Sequence, residues 1–106
     1  KSFVEVKNVT LFRSINTAEF PDAVTTGGSK HLLALIDAIK KGYKSYLLFL
    51  VQIQNMETFK IAKDIDKEYY KNYLLAKKAG VMFLAYRCKI NSREIIIDKK
   101  IKIIND

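Results

Sequence analysis

Phe3 to Phe12 (FVEVKNVTLF) is rich in β-branched and apolar residues and predicts a strand. Arg13 to Glu19 is mostly polar and reads as a turn or loop, and Pro21 biases Phe20 away from the helical region. Leu32, Leu35, Ile36 and Ile39 recur at helical spacing and predict a helix over 30–41. Thr25 to Ser29 offers N-caps for it, Lys40 and Lys41 suit its negative end, and Gly42 supplies a stop. Tyr46 to Val51 is apolar at every position, the pattern of a central strand covered on two sides. The stretch 55–65 has no clear period and reads as a connection. Asp66 is a natural cap for a second helix over 67–79, with Tyr70, Tyr73, Leu74 and Lys77 near one stripe and Gly80 closing it. Val81 to Ile90 and Glu94 to Ile104 read as antiparallel strands around a turn at Asn91-Ser92.

The order strand, helix, strand, helix, strand, strand predicts an α/β fold, a mixed β-sheet with helices on both faces. Loops and helix N-termini gather at the carboxyl ends of parallel strands. The segment 22–31 is therefore expected near the end of the first strand.

That strand carries Glu5-Val6-Lys7. Side chains alternate across a strand, so Glu5 and Lys7 share one face and Val4 and Val6 the other. The strand is expected to be central, where a carboxylate beside an ammonium is costly unless the two pair or hold an ion. The chemistry this suits is a metal-dependent nuclease site, with a carboxylate on a divalent cation and a lysine on the attacking water. The alternative is a plain Glu5–Lys7 salt bridge, since such triplets also arise by chance on solvent-facing strands.

Composition narrows the partners. The chain has 106 residues and a net charge of +8, which suits one domain and a polyanion such as nucleic acid. Lysine outnumbers arginine 16 to 3, however, a bias that raises the charge without implying a binding role. No apolar stretch reaches membrane-spanning length and no signal peptide is visible, so no membrane role is expected. A sole cysteine, Cys88, excludes an internal disulfide and fits a cytoplasmic protein. No zinc-type cluster and no phosphate loop of the G-x-x-x-x-G-K-[ST] kind is present.

Three blocks in order, FVEVKNVTL (3–11), FPDAVT (20–25) and GSKHL (28–32), resemble the sugar fermentation stimulation protein family. Val51-Gln52, Ile65-Asp66, Tyr69 and Gly80-Val81 with Leu84-Ala85-Tyr86 continue the likeness over nearly the whole chain. The resemblance implies the family's C-terminal domain, with a restriction-endonuclease-like core similar to PD-(D/E)xK nucleases. It implies a piece of a longer protein, preceded in the family by an oligonucleotide-binding-like domain and by a further metal-ligating aspartate. A piece without that aspartate is not expected to cut DNA.

Carried over residue by residue, the resemblance makes Glu5, Lys7 and Asp22 the catalytic candidates, with Glu5 and Asp22 as ligands of Mg2+ or Mn2+. Thr25, Gly28, Lys30 and His31 become the nucleic-acid contacts. For Asp22 the alternative is a bond to its own turn; for His31 it is an exposed or capping role. The chain departs from the family at Gly27, where arginine is usual, at Ala34 for glutamate, and at Ile53 and Asn55 for arginine and aspartate. The expected function is DNA binding of the sugar fermentation stimulation type, linked to regulation of sugar utilisation. The alternatives are a metal-dependent phosphodiesterase acting on DNA or RNA, and a non-catalytic interaction domain.

Overall fold

The computed structural model describes residues 1–104. Its elements are β1 (Ser2–Val9), β2 (Leu11–Ser14), β3 (Thr17–Phe20), α1 (Thr26–Lys40), β4 (Lys44–Val51), β5 (Thr58–Ile61), α2 (Lys67–Ala79), β6 (Met82–Ile90) and β7 (Ile95–Ile103). The strands form one seven-stranded mixed sheet in the order β1-β4-β6-β7-β5-β3-β2. β1, β4 and β6 run parallel, β7 turns back antiparallel to β6, and β5 and β3 follow β7 in parallel. The sheet curls enough for β1 and β3, far apart in strand order, to touch.

The α/β class and the mixed sheet agree with the order of elements read from the sequence. The helices, expected on both faces, pack against each other, and α1 lies over β1 and β4. β1 to β4 and β4 to β6 step the same way across the sheet. Two right-handed crossovers in one direction set both helices on one side.

Four boundaries differ from expectation. The run Phe3 to Phe12 is not one strand: it breaks after Val9, and Leu11–Ser14 leaves for the far side of the sheet as β2. The polar segment after it is the β2–β3 hairpin, turning at Asn16 with φ of 60°, a conformation asparagine tolerates better than most. β5 occupies part of the segment read as a connection. In α1, the Thr25 hydroxyl accepts the Gly28 amide, and the helix begins at Thr26 rather than near Lys30.

The core lies between the sheet and the helices. Leu47, Phe49 and Val51 of β4 meet Leu32 and Leu35 of α1 and Tyr69, Tyr73 and Ala76 of α2. Phe49 stacks on Phe59 at 4.4 Å between ring centroids, which ties β4 to β5. The buried face of α2 is Tyr69, Asn72, Tyr73 and Ala76, turned one position from the anticipated stripe. Asp66 caps α2 by accepting the Tyr69 amide at 3.0 Å. Gly80 ends the helix with φ of 109°, a left-handed turn that glycine makes without steric cost.

A second polar tie holds the hairpin. Glu19 of β3 is buried and receives two hydrogen bonds from Arg13, at 2.9 and 2.7 Å. The same guanidinium donates to Asp64 at 2.7 and 2.8 Å. A buried carboxylate needs such a partner. No helix among the described residues is long and apolar enough to cross a membrane.

Candidate nucleic-acid interface

Register decides where the charged pair of β1 points. Glu5 lies opposite Leu47 and Lys7 opposite Phe49. Both partners belong to the core, so Glu5 and Lys7 face the side that α1 covers. Val4 and Val6 face away and are 58% and 46% exposed. The shared-face reading of the triplet therefore holds. β1 is an edge strand of the described sheet, however, rather than a central one.

α1 lays His31 across that pair. Lys7 Nζ lies 2.6 Å from His31 Nδ1, and Glu5 Oε2 lies 3.9 Å from the same nitrogen. Lysine has only protons to give. Nδ1 is therefore the acceptor of that hydrogen bond. No Glu5–Lys7 ion pair forms among the described residues. Lys7 keeps two of its three donors, and Glu5, with 34% of its side chain exposed, keeps its acceptor capacity.

The other candidates separate into two groups. Thr25 and Gly28 are engaged in the cap of α1, each satisfying the other. Gly28 is there for close packing: a Cβ would stand 2.8 Å from Thr25 Cγ2 and 3.1 Å from Tyr69 Cε1. The Thr26 and Gly27 amides open the helix with no carbonyl one turn before them, the usual condition at a helix start. Lys30 is exposed one residue before His31. Asp22 is exposed in the bend between β3 and α1, and its carboxylate makes no hydrogen bond or ion pair among the described residues. No group of three His, Cys, Asp or Glu side chains able to hold a metal ion occurs among those residues. Glu5 and Asp22 are hard oxygen donors of the type that Mg2+ and Ca2+ take, but such ions want six or more oxygens.

Two features escaped the sequence. The Asp66 carboxylate that caps α2 also accepts the Thr25 amide at 2.8 Å, and the two residues are 41 positions apart. Tyr69 packs beneath Gly28 with its hydroxyl buried and unpartnered. Desolvation, followed by the charges of Asp66 and Glu5 and by Tyr73, holds that hydroxyl well above its usual pKa. Neither arrangement has a local sequence signal. Cys88 is buried and its thiol is likewise pushed up by burial, as expected of an inert structural cysteine.

Comparison with known proteins gives these residues a context. The family profile described as the sugar fermentation stimulation protein RE domain matches residues 1–94. A sugar fermentation stimulation protein homolog of Pelagibacter ubique (strain HTCC1062) is 82% identical over 105 residues, which is 99% of this chain and 45% of that protein. The homolog of Syntrophotalea carbinolica is 43% identical over 103 residues, covering 97% of this chain and 45% of its own. The structure of Pyrococcus furiosus SfsA in complex with Ca2+ superposes with a TM-score of 0.88 at 27% identity, covering 96% of this chain and 44% of that one. The chain thus spans less than half the length of these relatives. With its profile match, its close relatives and its shared fold, the chain belongs to the sugar fermentation stimulation protein family and corresponds to the RE domain of that family.

Proposed function

We propose that this domain binds DNA through its phosphate backbone, at the surface where Lys7, His31 and Lys30 meet the start of α1. The observation that carries the reading is the convergence of Lys7 and His31 at 2.6 Å beside Glu5. Lys7 has protons left to donate, and the Thr26 and Gly27 amides open α1 with the positive end of a helix. Lys30 is exposed one residue before His31 and adds positive charge to this end of the helix. Lys7 beside His31 offers donors for a phosphodiester oxygen. The net charge of +8 favours approach of a polyanion.

Glu5 fits a divalent cation at the same surface as one hard oxygen donor, with Asp22 as the candidate second. The similar SfsA structure is in complex with Ca2+, which supports divalent-cation binding by this domain. Such an ion, Mg2+ or Mn2+ in this reading, would supply charge to hold a phosphate against Lys7 and His31.

The second reading is a metal-dependent phosphodiesterase, favoured by the same carboxylate and amine on one face of β1. The test for binding is duplex DNA affinity of the full chain across a salt series. Affinity should fall steeply as salt rises, because phosphate contacts release counterions. Absence of binding at low salt would remove the reading. Incubation with Mg2+ or Mn2+ and labelled DNA or RNA tests cleavage: products that persist in Glu5→Ala and Lys7→Ala would exclude these residues from the chemistry.

A further inference from the structure

Asp66 does more than cap a helix. One carboxylate oxygen accepts the Tyr69 amide at 3.0 Å and the other accepts the Thr25 amide at 2.8 Å. Thr25 is the N-cap of α1, and Asp66 is the N-cap of α2. A single buried side chain therefore fastens the starts of both helices to each other. Gly28 then seats the first turn of α1 on the Tyr69 ring with no room for a side chain.

His31 follows three residues later on the same rigid helix. Its place against Lys7 depends on where that first turn sits. β1 and β4 locate Lys7, whereas Thr25, Gly28 and the helix locate His31. We infer that Asp66 is a positioning residue, whose bond to the Thr25 amide sets His31 within reach of Lys7. The inference rests on reading the Lys7–His31 cluster as the phosphate-contacting surface. It adds that the cluster is controlled by a carboxylate that touches neither residue.

Two variants separate this role from plain capping. Asp66→Ser keeps a good N-cap acceptor for Tyr69, but its shorter side chain puts no atom where Oδ2 accepts the Thr25 amide. Asp66→Asn keeps one oxygen and turns an amide donor against the Thr25 N–H. The experiment is NMR of the full chain at fixed pH, reading the cross-relaxation between the His31 ring and the Lys7 ε-methylene protons. Both variants are expected to stay folded and to lose that contact, with a changed His31 Nδ1 resonance and weaker binding of duplex DNA. A cap-only role would leave the contact and the resonance as in the parent, and that result overturns the inference. Should neither variant fold, amide exchange at Thr25 in the parent decides: slow exchange supports the bond to Asp66, and unprotected exchange overturns it. If the parent failed to bind DNA while the variants still lost the contact, the reading of the cluster would fall and the positioning role would stand.

Discussion

Lys7 Nζ and His31 Nδ1 lie 2.6 Å apart although the residues are 24 positions distant in sequence. The contact joins a sheet edge to the first turns of a helix, and Glu5 makes no ion pair with Lys7 among the described residues. A pair that closed on itself would be inert surface charge of small worth. An amine already oriented by an imidazole, beside a part-exposed carboxylate, is prepared for a third party.

The two glycines at the start of α1 should respond in opposite ways to alanine. In Gly28→Ala the new methyl meets Thr25 and the Tyr69 ring at 2.8 to 3.1 Å, and the loss should be about 1–3 kcal/mol as for other overpacked sites. At Gly27 nothing lies within 4 Å of the added atom. Gly27→Ala should be neutral or stabilise by roughly 0.4–1 kcal/mol through the unfolded chain. Urea unfolding of both variants checks the pair. Gly27→Arg places a cation at the helix start, where an added Cβ meets nothing within 4 Å, and should strengthen DNA binding.

Tyr69→Phe should stabilise the fold. Among the described residues the hydroxyl is buried without a hydrogen-bond partner, and an unsatisfied buried polar group costs about 1–3 kcal/mol. The ring contacts with Phe20 and beneath Gly28 remain. Calorimetry should show a higher melting temperature; a lower one would reveal a bond made by this hydroxyl.

The Arg13 tie predicts an acid response. The hydrogen bond from Arg13 lowers the Asp64 carboxyl from 3.8 to about 2. A depressed folded pKa contributes stability that is present above the unfolded value and lost as pH falls through the folded one. The contribution is therefore complete above about pH 4 and fades towards pH 2. Asp64 is exposed, so salt should weaken the effect. Parent and Asp64→Asn stability curves should converge over that window. A constant gap between them would contradict the assignment.

Much of the fold is legible in the chain where the signals are local. α2 runs Lys67–Ala79 as read, because Asp66 and Gly80 punctuate it. β4 and β6 carry continuous or alternating apolar residues and were placed within two residues of their ends. β5 carries no local signal, because four residues, TFKI, show no period and their pairing with β3 and β7 is long-range. α1 begins early because Thr25, Tyr69 and Asp66 hold a first turn that a glycine pair alone disfavours. At the site, the period of a strand was enough to put Glu5 and Lys7 on one face. The meeting of His31 with Lys7, and of Asp66 with Thr25, is set by tertiary packing that no spacing in the sequence encodes.

The central claim concerns a phosphate contact at Lys7, and the salt dependence of duplex DNA binding by the full chain tests it most directly. Lys78, exposed in the last turn of α2, serves as the control. Removal of one phosphate contact lowers the slope of log affinity against log salt by roughly 0.9. The account predicts that loss in Lys7→Ala and the parent slope in Lys78→Ala. An unchanged slope in Lys7→Ala would contradict it.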